Sequence, residues 1–196
     1  NFTANQLNAP ESGSMQLTLE YGKANISMAD DMEIAVKYST INLGELDDLD
    51  LESKYAVLNI GKANSISAES KYDTFQFAEI GSFLGNTKYS HTEIEELRNS
   101  MRIEAGYGGI QVDEVRSGFE SISIINSYGR ISLGLVDEDY ILDASCEYCG
   151  ISFPKDKFEG EQTIENHTSI VKGSVGAGTG GQVVLKSRFG DIKLED

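Results

Sequence analysis

The sequence predicts an all-β chain wound as a single-stranded β-helix, or β-solenoid, and three observations carry that prediction. Tyrosine recurs at fixed spacing, two apolar columns run in step with it, and a small residue usually follows it. Tyr21, Tyr38, Tyr55, Tyr72 and Tyr89 lie 17 residues apart, and Tyr107, Tyr128 and Tyr148 follow at spacings of 18, 21 and 20. Phe189 lies 41 residues beyond Tyr148, two further periods, so nine rungs are marked and only Tyr140 stands outside the series. A repeat of this kind fixes the architecture before any single element is assigned.

The residue five places after each aromatic is Ile26, Leu43, Ile60, Phe77, Ile94, Val112, Leu133, Phe153 or Leu194, apolar in every rung. Three places after it come Ala24, Ile41, Leu58, Phe75, Thr92, Ile110, Ile131, Ile151 and Ile192. The residue between these columns is always polar, from Asn25, Asn42, Asn59 and Gln76 to Glu93, Gln111, Ser132, Ser152 and Lys193. That period of two is the signature of a half-buried strand. A second strand precedes the aromatic, as in Leu17, Leu19, Tyr21 and Met101, Ile103, Ala105, Tyr107. Between the two strands stands Gly22, Gly108, Gly129 or Gly190, or else Ser39, Ala56, Ser90 or Cys149, with Asp73 the odd one. Glycine tolerates a positive φ and close backbone approach, so this position is expected to form the corner.

A 17-residue unit cannot bury its own apolar face, but a stack of such units can. The reading is therefore about nine to ten coils of 17 to 21 residues, rising about 4.8 Å per rung. The aromatic rings are expected to pile up inside it, so that truncating Tyr55 costs more than truncating Tyr140. Residues 1–14 form an N-terminal extension or cap, and 15–196 the solenoid domain. The stretch 154–181 lacks the tyrosine marker and is expected to be an irregular excursion or cap, with Ile164, Ile170 and Val171 available for a covering strand or hairpin. Glu93 to Met101 has helix-like spacing, but Ile94 already belongs to a column, so it is read as an enlarged turn.

Composition narrows the function. The 196 residues carry 32 Asp and Glu against 16 Lys and Arg, a formal net charge of −16, with 39% hydrophobic residues. Nucleic-acid binding is not expected, because a phosphate backbone needs clustered bases to displace its counterions, and here the bases are scattered along the chain. No run approaches the roughly 20 apolar residues of a transmembrane helix. The chain begins at Asn1, and an export signal or lipid anchor removed from in front of it fits the envelope assignment below.

The block Leu51-Glu52-Ser53-Lys54-Tyr55 and the run from Leu185 to Leu194, entered through a glycine-rich segment, resemble a bacterial adhesin family of β-solenoid proteins from the Bacteroidetes cell envelope. The resemblance covers Met15 to Asp196 and implies a right-handed single-stranded β-helix that is exported to the periplasm or cell surface and is not an enzyme. It supplies no functional residues to carry over. The expected function is a non-catalytic binding or adhesion module for a surface glycan or an envelope protein. The alternatives are a carbohydrate-active lyase or hydrolase, a chemistry that parallel β-helices also host, and a structural envelope spacer.

No catalytic, cofactor-binding or metal site is expected from the residues. Cys146 and Cys149 form a single C-x-x-C, read as column filler or a local bridge, since a zinc site needs four ligands. Gly173, Gly176, Gly178, Gly180 and Gly181 lack the Gly-Lys-Ser of a phosphate loop and are read as a turn into the last coil. The acids at Asp30-Asp31, Glu45 to Glu52 and Asp137-Glu138-Asp139 are read as solvated turns that also guard exposed strand edges. His91 and His167 have no evident partners in sequence. The amides Asn25, Asn42, Asn59 and Gln76 line one strip, free either to bind sugars or to hydrogen-bond one another up the ladder.

Overall fold

Successive 17-residue blocks pair with one another in parallel and in register, and the fold follows from that pairing. The computed structural model describes residues 6–9 and 13–195, which contain sixteen strands and no helix. Of the predicted N-terminal extension, residues 1–5 and 10–12 lie outside the described residues. Strand β1 (Gln6–Ala9) pairs with Lys23–Ile26, and β2 (Met15–Glu20) pairs with Met32–Lys37, both partners within β3 (Lys23–Lys37). Then β4 (Thr40–Lys54), β5 (Val57–Lys71) and β6 (Thr74–Lys88) stack on β3 with each paired residue over its counterpart 17 places earlier.

Within β3 the buried residues are Ala24, Ile26, Ala29, Met32, Ile34 and Val36. Single outward residues separate most of them, but Ser27-Met28 and Asp30-Asp31 are outward pairs, and the ladder skips Ser27 and Asp30. Two outward residues in succession rotate the next side chain back toward the axis, so each coil turns at these two bends and at the aromatic corner. The two predicted apolar columns are buried from Ala24 and Ile26 through Ile192 and Leu194, with Ile151 half-buried.

The helix-like stretch from Glu93 lies in β7 (His91–Gly106), which is extended throughout. One additional residue is accommodated where Ile80 pairs with Leu97 but Ser82 pairs with Ser100. The enlarged turn is thus a one-residue bulge, and it accounts for the 18-residue spacing from Tyr89 to Tyr107.

The upper coils consist of β8 (Ile110–Val115), β9 (Ser121–Ser127), β10 (Ile131–Gly134), β11 (Tyr140–Glu147) and β12 (Ile151–Ser152). After them come β13 (Phe158–Glu165) and β14 (Thr168–Val175), then β15 (Gly181–Arg188) and β16 (Ile192–Glu195). The predicted excursion is a regular antiparallel hairpin, turned at Asn166 and His167, both with positive φ. Its β14 lies antiparallel on β11, burying Val171 and Val175 over the end of the core, while Ile164 on the outer strand β13 stays exposed. Glu159, Glu161 and Glu165 charge that free edge, which discourages pairing with another chain.

The last coil in sequence is not the last in space. β15 is parallel to both β9 and β11 and lies between them, and β16 lies likewise between β10 and β12. Phe189 therefore stacks between Tyr128 and Tyr148 instead of beyond Tyr148. The stack makes about 7 turns, fewer than the nine to ten expected, because marked rungs at its ends are partial: β12 has 2 residues and β2 has 6.

The aromatic column departs from expectation in a second way. The rings do stack, but on the outside, with Tyr55 41% and Tyr21 67% exposed. Tyr21, Tyr38, Tyr55, Tyr72, Tyr89, Tyr107, Tyr128, Tyr148 and Phe189 all have φ between 50° and 61°. The left-handed turn is thus made by the aromatic itself, not by the small residue after it. Its geometry throws the ring outward beside the outward Lys37, Lys54, Lys71 or Lys88, and the following Ser39, Ala56, Asp73 or Ser90 turns in and is buried. Where glycine follows instead, the coils approach too closely for a side chain: a Cβ on Gly108 or Gly129 would strike the carbonyl oxygen of Ser90 or Gly108 below.

A left-handed non-glycine residue costs roughly 1–2 kcal/mol, and each stacked aromatic pair returns roughly 0.5–1.5 kcal/mol. Because each contact is shared by two rings, the stack returns about one pair per ring and offsets much of the backbone strain. Tyr140, outside the series, is 1% exposed and belongs to the core. This reverses the expected order of truncations. Tyr140→Ala is expected to cost about 3–5 kcal/mol in urea unfolding. Tyr55→Ala is expected to cost about 1–3 kcal/mol, and Tyr55→Gly about 1 kcal/mol less than Tyr55→Ala, since glycine is at ease at positive φ.

Candidate functional site

The sequence-selected candidates fall mostly into structural roles. Cys146 and Cys149 are joined by a disulfide that spans the corner at Tyr148, with Cys146 in the core. Asp137 pairs with Lys157 at 3.2 Å, and Asp139 accepts the Ala177 N–H at 2.9 Å. That bond holds the glycine turn that leads into β15, so this turn is shaped around a carboxylate and not a phosphate. Asp31 and Glu33 accept hydrogen bonds from Ser14 and Gln16 one coil below, at 3.4 and 3.0 Å. His91 lies 3.1 Å from Glu93 at the surface. His167 stacks on Tyr148 with centroids 5.2 Å apart, extending the aromatic column by a tenth ring. No group of three or more His, Cys, Asp or Glu is placed to hold a metal ion among the described residues.

The amide strip bonds to itself. Asn42 donates to Asn25 at 2.6 Å and Asn59 to Asn42 at 2.7 Å, as expected of amides repeated at one rung. The ladder ends where Gln76 replaces asparagine, leaving Asn59 Oδ1 buried without a partner.

A polar column inside the corner holds the coils together. A corner residue offers a side-chain oxygen to the N–H of the corner below: Ser39 to Gly22 at 3.1 Å, Asp73 to Ala56 at 2.7 Å, and Ser90 to Asp73 at 3.1 Å. Asp73 is 3% exposed and also accepts from the Ser53 hydroxyl at 2.7 Å and the Lys71 N–H at 3.1 Å. Burial pushes its carboxyl above the ordinary range, while the bonds from Ala56, Ser53 and Lys71 pull the other way.

What the sequence reading missed lies on the outer side of the same corner. Lys37, Lys54, Lys71 and Lys88 are in register, one above another, each directly before a ladder tyrosine. None of the four forms an ion pair among the described residues, and Lys54 Nζ sits 5.3 Å from the Tyr55 ring centre. Four of the 16 bases, scattered along the chain, are a column in the fold, and the signal was the dipeptide Lys-Tyr occurring four times at a 17-residue spacing. Beside the lysines runs a second outward column that includes Glu52, Glu69 and Asn86. Between the two columns lies a groove of about 480 Å³, running from the rung of Glu20 to that of Lys88 over the buried Val36, Ser53 and Ser70.

The tyrosines beside this groove have centroids 4.8 to 4.9 Å apart with planes within 8° of parallel. Stacked in this way they cover one another's faces and present ring edges and hydroxyls. The strip therefore offers repeated ammonium groups and phenols on one side and carboxylates on the other, all at the spacing of the strands.

Neither a family model, nor a curated protein, nor a solved structure matches the chain.

Removing the buried charge at the corner gives a test of the inner column. The native Asp73 carboxyl holds its proton more tightly than in the unfolded chain. The stability tied to that proton is complete below the ordinary carboxylate range and is lost as pH rises through the raised native value. Serine already fills this position at Ser39 and Ser90, so Asp73→Ser is expected to fold. The stability of the natural chain relative to D73S should fall as pH is raised through the acid range, measured by urea midpoints across pH; a flat or rising difference would contradict the assignment.

Proposed function

We propose that this protein is a non-catalytic binding module of a bacterial cell envelope, and that its ligand lies along the outer tyrosine and lysine columns. The observation that carries this reading is the in-register lysine column beside a continuous exposed aromatic stack. Like charges directly opposite on adjacent strands are destabilising, and four of them in succession burden the fold, which points to selection for something outside it. The stacked rings hold the corner rigid, so the lysine backbones stand at a fixed spacing and a ligand has only their side chains to order.

Export supports the same picture. Disulfides persist in oxidising compartments and are rare in the cytosol, so the Cys146–Cys149 bridge supports a periplasmic or surface location, as does the resemblance to the envelope adhesin family. A four-residue loop gives a bridge worth about 2 kcal/mol in the chain-entropy model. Reduction is expected to loosen the Tyr148 corner and leave the lower coils folded, read as faster amide exchange confined to the upper rungs.

One arrangement favours the enzymatic alternative. Glu52 and Glu69 are paired across adjacent rungs, about 4.8 Å apart along the stack, near the carboxylate separation of retaining glycosidases. Both are exposed, however, and nothing on this face excludes water from them. Incubation with a panel of bacterial and plant polysaccharides decides between the readings. The binding module is expected to retain at least one polysaccharide and to release no new reducing ends or unsaturated products. Product release that is abolished by Glu69→Gln would establish the enzyme instead.

A further inference from the structure

We infer that the groove beside the lysine column takes a linear acidic polysaccharide with one carboxylate per sugar, lying along the solenoid axis. This rests on the reading of the protein as a binding module and names the ligand class of that same strip.

Shape is the first argument. The groove is narrow and follows the stack from Glu20 to Lys88, four steps of the strand ladder, roughly 19 Å at about 4.8 Å per step. A long slot one strand-column wide fits an extended chain and not the broad patch of a folded partner, whose interface spans about 800 Å² per side.

Spacing is the second. Lys37, Lys54, Lys71 and Lys88 repeat once per rung. An extended acidic peptide puts carboxylates on one side only every second residue, about 6.8 Å apart, and one strand of duplex DNA repeats its phosphates every 3.4 Å or so. Both fall out of step with the lysines within a few rungs. In an extended homopolymer of uronic acid successive sugars turn over, so the carboxylates on one side recur every second pyranose; because one pyranose is about as long as one rung, they stay in step with the column, one carboxylate to each pair of lysines.

The third argument is the chemistry of the two walls. Ammonium groups on one wall seek carboxylates, whereas Glu52 and Glu69 on the other can only accept hydrogen bonds. A ligand meeting both walls must be anionic and also carry hydroxyl donors. Acidic sugars do, and polyphosphate, an acceptor throughout, would meet two carboxylates with nothing to give them. The phenols of Tyr38, Tyr55, Tyr72 and Tyr89 border the lysine wall, and each hydroxyl can donate or accept. Sugar rings cannot stack on these tyrosines, because neighbouring rings already occupy the faces.

The net charge of −16 opposes a polyanion at long range, which gives the site a distinctive salt dependence. At about 0.01 M salt the field reaches roughly 30 Å and the whole acidic chain repels the ligand, whereas near 0.1 M it reaches about 10 Å and the adjacent lysines dominate. Toward 1 M the lysines are screened as well, so affinity should pass through a maximum.

Calorimetry with a galacturonate hexamer tests the inference, with a neutral glucose hexamer and inorganic polyphosphate as comparators. The expected result is saturable binding of the galacturonate alone, strongest at intermediate salt. Replacing both Lys54→Gln and Lys71→Gln should weaken it about tenfold, the loss of two exposed charge contacts. Lys172→Gln with Lys193→Gln makes the same change of net charge away from the groove and should leave affinity unaltered. Matching urea midpoints for the two double variants would show that folding is not what changed. Failure of the galacturonate to bind overturns the inference, as do equal losses in both double variants, equal or tighter binding of polyphosphate, or a lysine-dependent change of sedimenting mass without ligand. Retention of a neutral glycan in place of the acidic one would overturn the inference while leaving the binding module standing, and release of cleaved products would overturn the module itself.

Discussion

In-register parallel pairing is the constraint on which everything else in this protein depends. Once residue i sits over residue i + 17, each position of the repeat becomes a column, and each column must be a side chain that tolerates its own kind one strand spacing away. Apolar residues satisfy this inside, where they form one continuous core. Amides satisfy it on one face by bonding to each other. Aromatic rings satisfy it at the corner, and their mutual attraction offsets much of the cost of a backbone conformation that a tyrosine would otherwise avoid. Columns of like charge satisfy it least, and the longest of them is the run Lys37, Lys54, Lys71 and Lys88 at the corner, with Glu52 over Glu69 beside it.

The corner joins fold and surface. A left-handed residue reverses the inside-outside alternation, so one position sends the ring into solvent and the next sends a small polar side chain into the core. The inward oxygens of Ser39, Asp73 and Ser90 then satisfy backbone N–H groups that the turn removes from the ladder. Outer stack and inner polar column are two consequences of one torsion angle, which explains why the aromatic and the small residue recur together.

The sequence made the solenoid legible because its columns are nearly pure: the two apolar columns and the polar one between them read directly as strand faces. It did not say on which side of the wall the tyrosines lie. Strict alternation from Leu51 and Ser53 places Tyr55 inside, and only a left-handed residue breaks that count. The trace of that reversal in the sequence is the small residue behind each ring, which is the position that turns inward. Likewise the 41-residue gap to Phe189 gave the right number of periods, but spacing carries no information about which neighbours a returning strand selects. The lysine column is written as four Lys-Tyr pairs 17 residues apart, which are distant along the chain and adjacent only up the stack.

The returning strand has a consequence for how the molecule is made. Lower coils can settle as they leave the ribosome, since each needs only the one before it. The rung between β9 and β11, however, is filled by β15, which follows the hairpin in sequence. Until Gly181 to Glu195 has been synthesised, β11 has no partner on its lower side and the stack is a staircase with a missing step. Completion therefore waits on β15 and β16, which act as a keystone, dropped in after the hairpin to lock the courses above and below.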